Sequence, residues 1–134
     1  MTVFNSFVVA SLTFLINFLK LYYHDPRPYW SSDNIEAYQC INQYGNPSGH
    51  SMVAFCSSLL QAFTLIKDQN LSKTQASLSV GAAILFSVSV AYSRLFLGVH
   101  SLDQVLFGGL IGIWMAICTH CAIKNPVTKH LRKI

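Results

Sequence analysis

Residues 93–104 read Ser93-Arg94-Leu95-Phe96-Leu97-Gly98-Val99-His100-Ser101-Leu102-Asp103-Gln104. This polar joint separates two apolar runs, Leu78–Leu97 and Leu102–Ile123, each of which holds few charges. About 20 apolar residues are what a helix needs to cross a ~30 Å hydrocarbon core. Two further runs of that length precede them, Val3–Tyr23 and Ser48–Ile66. Hydrophobic residues make up 52% of the 134-residue chain and charged residues only 10%, so four such runs do not fit a soluble domain of this size. The expected fold is all-α: one domain, residues 1–134, forming a polytopic membrane bundle of four transmembrane helices.

The punctuation between the runs supports this order. Asp25-Pro26-Arg27-Pro28 stops the first helix, because proline lacks a donor and biases its predecessor to extended backbone. Tyr29–Asn46 is expected to be a polar loop. Ser48 suits the N-cap of the second helix, which is expected to run to Ile66. Lys67–Asn70 reads as a turn, the third helix starts near Ser72 or Lys73, and Gly98 suits its end. The fourth helix ends before Asn125-Pro126, and Val127–Ile134 is a basic tail. Val3–Tyr23 lacks the basic flank and small-residue cleavage site of a signal peptide, so it is expected to be retained.

Composition narrows the functional classes. The net charge is +4, yet the basic residues are not massed into a patch, which excludes a nucleic-acid-binding reading. Of the four cysteines, Cys56, Cys118 and Cys121 fall in predicted spans and Cys40 in a loop. Cys118 and Cys121 form a C-x-x-C with no second pair, a weak metal or redox signal.

Three polar clusters carry chemistry. Lys20 and Arg27 stand at the end of the first helix, Arg27 between two prolines that fix its backbone. Its guanidinium offers paired planar donors to phosphate oxygens. Pro47-Ser48-Gly49-His50 opens the second helix, where free N–H groups and the positive dipole end favour an anion. Gly49 allows close approach, the Ser48 hydroxyl can donate to an oxygen, and a protonated His50 can donate to a leaving group. Arg94 closes the third helix. His100 precedes the fourth, and its neutral imidazole can attack phosphorus if the other ring nitrogen is held. Asp103 and Gln104 both stand at helical spacing from His100, so either can hold it. A carboxylate would also stabilise a positive ring, and Asp103 is expected to contribute more. Taken singly, each cluster is more often structural: a snorkelling lysine, a plain N-cap, an anchoring arginine. In an up-down-up-down bundle, however, all three fall on one membrane side.

The strings Lys20-x6-Arg27-Pro28, Pro47-Ser48-Gly49-His50 and Ser93-Arg94-x5-His100 together resemble, in order and internal spacing, the three signature motifs of the type-2 phosphatidic acid phosphatase and vanadium haloperoxidase superfamily. The resemblance implies His100 as nucleophile, forming a phosphohistidine, and His50 as general acid. It implies Lys20, Arg27, Ser48, Gly49 and Arg94 as the phosphate-binding set, with no metal and no cofactor. The family's usual acid falls at Gln104 here, while Asp103 stands one residue early. Some members, glucose-6-phosphatase and the dolichyl diphosphatase group among them, are similar in carrying Gln at that place. Members usually have six membrane helices, of which this chain would supply the last four.

The leading expectation is a metal-independent phosphatase acting on a lipid phosphomonoester, with the bilayer as its other partner. A sugar-phosphate hydrolase resembling glucose-6-phosphatase is the alternative, favoured by Arg27-Pro28-Tyr29-Trp30 and Gln104. A catalytically inactive membrane fragment is the third. Haloperoxidases are larger and do not span membranes.

Sidedness follows from the remaining charges. Lys67, Lys73, Lys124, Lys129, Arg132 and Lys133 all fall on the side opposite the clusters. The positive-inside rule makes that side, with the basic loop and tail, cytoplasmic and the site luminal or extracellular. In a background without native cysteines, Ser32→Cys is expected to react only from the luminal side of sealed vesicles and Gln69→Cys only from the cytoplasmic side. The reverse labelling pattern contradicts the topology.

Overall fold

The computed structural model describes residues 2–36 and 38–124. The basic tail after Lys124, with Lys129, Arg132 and Lys133, lies outside them. Helix α1 runs Thr2–Tyr23, α2 is the single turn Pro28–Ser31, α3 runs Gly49–Asp68, α4 Lys73–Phe96 and α5 Leu102–Lys124. Among the described residues four segments are long and apolar enough to cross a membrane: Phe7–Ser31, Gly49–Asp68, Lys73–Phe96 and Leu102–Ala122. No strand occurs among them.

Two boundaries differ from the sequence expectation. The turn α2 sits where a loop was expected, because Pro28 occupies its first position with φ already set for a helix. Helix α3 continues through Lys67 to Asp68, and Asn70 adopts φ 47 just beyond it. Helix α4 begins at Lys73, within the expected start near Ser72 or Lys73 and five residues before the apolar run. Ser72 and Gln75 form a reciprocal capping box that satisfies two orphan donors of the first turn. The expected stop at Gly98 holds: α4 ends at Phe96, and Gly98 takes φ 67, a left-handed conformation open to glycine.

Helix α3 is the centre of the bundle. It packs against α1, α4 and α5, and α1 also meets α5 where the Tyr23 and Phe107 rings pack edge to face. Its buried face, Met52, Cys56, Leu59, Leu60 and Ala62, joins Val8, Leu12 and Ile16 of α1, Ala83 of α4 and Ala116 of α5. Between apolar helices in lipid there is little hydrophobic drive, so close packing and interhelical hydrogen bonds hold them. Both occur here. Ser58 of α3 bonds to Ser87 of α4 at 2.7 Å. On α5, Gly108 and Gly112 form a small-xxx-small stripe against the α3 backbone at Ser48 and Met52. The outward faces carry Phe7, Phe14, Phe18 and Leu21 on α1, and Leu102, Leu106, Leu110 and Ile117 on α5, all exposed as a lipid-facing surface requires.

A Cβ on Gly108 would stand 2.5 Å from the Ser48 carbonyl, whereas one on Gly81 would meet nothing within 4 Å. Gly108→Ala is therefore expected to destabilise the bundle by about 1–3 kcal/mol through overpacking. Gly81→Ala is expected to be neutral or stabilising by up to about 1 kcal/mol. Thermal unfolding in detergent, comparing the two variants, reads the difference.

Candidate active site

The end of α1, the start of α3 and the α4–α5 joint meet at one end of the bundle, as the helix order requires. Lys20 is 8% exposed and Arg27 only 1%, although both are cations. Lys20 Nζ donates to Gln43 Oε1 at 3.2 Å. Arg27 Nε donates to the Gln43 carbonyl at 2.6 Å and Nη1 to the Val99 carbonyl at 2.7 Å. Among the described residues neither cation pairs with a carboxylate. A charge taken out of water without a counter-charge is costly, and an anion brought beside these two cations would relieve that cost.

His100 is 4% exposed, and Gln104, at 3%, fixes its tautomer. Gln104 Nε2 donates to the Pro26 carbonyl at 2.9 Å, and the Ser101 backbone N–H donates to Gln104 Oε1 at 3.3 Å. Those two neighbours orient the amide, so its oxygen faces the ring. His100 Nδ1 therefore carries the proton and donates to Gln104 Oε1 at 3.2 Å. Nε2 is left with a lone pair, and Arg27 Nη1 approaches it at 3.4 Å as a donor. A side chain at Gly45 would collide with this arrangement, since its Cβ would lie 2.5 Å from Gln104 Oε1.

The sequence left Asp103 and Gln104 as alternative holders of the ring and gave Asp103 the larger part. In the structure the contact belongs to Gln104, and Asp103 is exposed to the outside of α5. The reason is geometric: α5 begins at Leu102, so His100 lies before the helix and helical spacing does not make the two residues equivalent. Gln104, tied to the Pro26 carbonyl and the Ser101 N–H, is the one that reaches the ring.

Ser48 is fully buried at the start of α3 and has the extended backbone of an N-cap, but its side chain makes no capping bond. Its oxygen instead accepts from Ser51 Oγ at 3.0 Å, and its N–H donates to the Gln104 carbonyl at 3.0 Å. The hydroxyl proton has no acceptor among the described residues and remains available to a ligand, beside first-turn N–H groups that lack intrahelical partners. Gly49 is half-buried against Ile16. His50 is exposed at the rim, within electrostatic reach of Arg94, Lys20 and Arg27. Arg94 is half-buried and rests on Ser93 Oγ at 3.3 Å. The structure thus joins Lys20, Arg27, Ser48, His100 and Gln104 in one buried network, with His50 and Arg94 at its mouth.

Sequence reasoning missed Gln43 and Gly45, which touch the cations and Gln104 from the loop before α3. No local pattern marks them, since their role depends on the path of that loop. Among the described residues no cluster of three or more metal-ligating side chains occurs.

Burial first, and then the Arg27 charge, push the His100 imidazole down to about 4, against the opposing pull of the Gln104 hydrogen bond. The ring is therefore neutral, with a free Nε2 lone pair, throughout the physiological range. A depressed folded-state value means that the unfolded chain binds this proton more readily. Stability from His100 is thus intact above about pH 6.5 and is lost as pH falls toward 4. An NMR titration of the His100 ring is expected to show an ordinary imidazole value restored toward 6.5 or above in Gln104→Glu and no change in Asp103→Asn.

Comparisons with known proteins bear on the family and the fold. The PAP2 superfamily matches residues 2–127. The chain is 31% identical over 97 residues to the dolichyldiphosphatase of Saccharomyces cerevisiae, covering 72% of this chain and 41% of that protein. It also superimposes on the crystal structure of the PAP2 type phosphatidylglycerolphosphate phosphatase from Bacillus subtilis. That match has a TM-score of 0.78 and 26% identity, and covers 87% of this chain and 56% of the other. The chain therefore spans about half, or less, of the length of these relatives.

Proposed function

Because this chain belongs to the PAP2 superfamily, we propose that it is a membrane-embedded phosphatase that hydrolyses a lipid phosphate ester through a phosphohistidine on His100. The observation that carries the reading is the His100 ring: Nδ1 is held by Gln104, and Nε2 presents its lone pair beside Arg27, one of two buried cations that no carboxylate of the described residues pairs. Lys20, Arg27 and Arg94, with the Ser48 hydroxyl and the first-turn N–H groups of α3, meet the charge on the non-bridging oxygens, the main task in phosphoryl transfer.

The reaction runs in two steps. His100 Nε2 attacks phosphorus, the bond to the lipid oxygen breaks, and a proton from His50 goes to that oxygen. Water then attacks phosphorus, giving its proton to His50. The P–N bond breaks, phosphate leaves and His100 is restored. Gln104 is neutral, so it holds the ring without cancelling the positive charge of the phosphoimidazolium. That charge makes the imidazole a good leaving group in the second step.

The bundle spans the bilayer and the site lies at one rim, so an amphiphile can keep its chains in lipid while its phosphate reaches Lys20 and Arg27. The charge bias supports a luminal or outer position for that rim. A lipid diphosphate is the second reading: the same attack would expel a phosphate in place of an alcohol, and the similarity to the yeast dolichyldiphosphatase favours testing it.

The test is phosphate release by the reconstituted protein from phosphatidate, a polyprenyl diphosphate and glucose 6-phosphate. Release from a lipid substrate supports the reading, and release from glucose 6-phosphate alone contradicts it. His100→Ala is expected to lower kcat on the order of 10³-fold or more. Gln104→Ala is expected to lower it about 10²-fold, with Asp103→Asn within about twofold of wild type. All cationic groups proposed for the site are side chains, so chelator is expected to leave the rate unchanged and vanadate to inhibit. A strict magnesium requirement contradicts the mechanism.

A further inference from the structure

Both buried cations are tethered by one residue that none of the signature motifs contains. Gln43 lies in the loop between α2 and α3, exposed as a residue, yet its two oxygens point at different charges. The side-chain oxygen accepts from Lys20 Nζ at 3.2 Å and the backbone carbonyl from Arg27 Nε at 2.6 Å. The loop fixes this backbone from both sides. The Tyr29 hydroxyl donates to the Ile41 carbonyl at 2.9 Å and accepts from the Ile41 N–H at 2.8 Å. The Gly45 N–H donates to the Asp25 carbonyl at 2.8 Å.

The two contacts differ in kind. The carbonyl is part of a pinned backbone, so it holds Arg27 Nε in every state, with Nη1 on Val99. Arg27 Nη2 has no protein partner among the described residues and stays available. The amide is the end of an exposed, rotatable side chain. It gives the Lys20 ammonium one neutral acceptor in place of an anionic one. A neutral acceptor is weaker than a phosphate oxygen by roughly a factor of two in hydrogen-bond strength, so it can be exchanged when phosphate arrives.

We propose that Gln43 is a positioning residue with two roles. Its carbonyl is a permanent anchor for Arg27, and its side-chain amide is a displaceable placeholder that keeps Lys20 aimed at the phosphate position in the empty site. The proposal rests on the phosphate-binding reading of Lys20 and Arg27. It explains how two cations are buried together without a carboxylate that would compete with the substrate.

The experiment compares Gln43→Ala, Gln43→Glu and Lys20→Gln/Gln43→Glu with wild type and Lys20→Gln, by phosphate release and by vanadate inhibition. Gln43→Ala keeps the carbonyl and is expected to hold kcat within about threefold while KM rises modestly, as for loss of one neutral hydrogen bond. Gln43→Glu supplies the missing carboxylate to Lys20. KM and the inhibitory vanadate concentration are both expected to rise about tenfold or more, with kcat much less affected, the scale of a hydrogen bond to a charged group. In the Lys20→Gln background the same substitution is expected to have little effect, a non-additivity that only direct coupling produces. Unchanged KM and vanadate inhibition in Gln43→Glu, or an equal effect in both backgrounds, overturns the proposal. If Lys20→Gln itself changes neither parameter, it is the phosphate-binding reading of Lys20 that fails.

Discussion

Two cations buried without a counter-charge, Lys20 and Arg27, are the constraint on which the rest of the site turns. Leaving them so costs free energy, and the fold offsets it with neutral acceptors: the Gln43 amide, the Gln43 carbonyl and the Val99 carbonyl. Two come from the loop before α3 and one from the joint between α4 and α5. Arg27 therefore bridges the loop before α3 and the joint between α4 and α5. The same bridge sets His100, because Val99 is its neighbour and Arg27 Nη1 stands against its Nε2.

The helices exist to hold that end in register. Gly108 and Gly112 draw α5 onto α3, which brings the Gln104 carbonyl to the Ser48 N–H and the Gln104 amide under the His100 ring. A hydrogen bond from Gln104 to the Pro26 carbonyl then closes the circuit to the segment that carries Arg27. One residue thus couples all three polar clusters, through its amide to His100 and Pro26 and through its carbonyl to Ser48, and it does so without adding a charge beside the ring.

Much of this was legible in the sequence. The four apolar runs have bilayer length, their order places the three clusters at one end, and Gly98 closes α4 as its permissive backbone suggests. What was not legible depends on local geometry or loop path. Spacing alone put both Asp103 and Gln104 near His100, and the carboxylate was the chemically obvious partner. Only the start of α5 at Leu102 decides that Gln104 faces the ring. The end of α3 lies at Asp68, beyond the apolar run that was expected to close at Ile66. Gln43 had no signal, because a polar residue in a polar loop looks like any other until the loop is folded over Lys20 and Arg27.

The central claim is that His100 Nε2 becomes phosphorylated. Rapid acid-free quenching of the reconstituted protein during turnover of a phosphorus-labelled lipid phosphate, followed by mass spectrometry of the peptide containing His100, tests it most directly. The account predicts an acid-labile, base-stable phosphoryl group on His100 that forms within one turnover and is absent from His100→Ala. Turnover at the normal rate with label on another residue, or with none on His100 under conditions that trap it, would contradict the account.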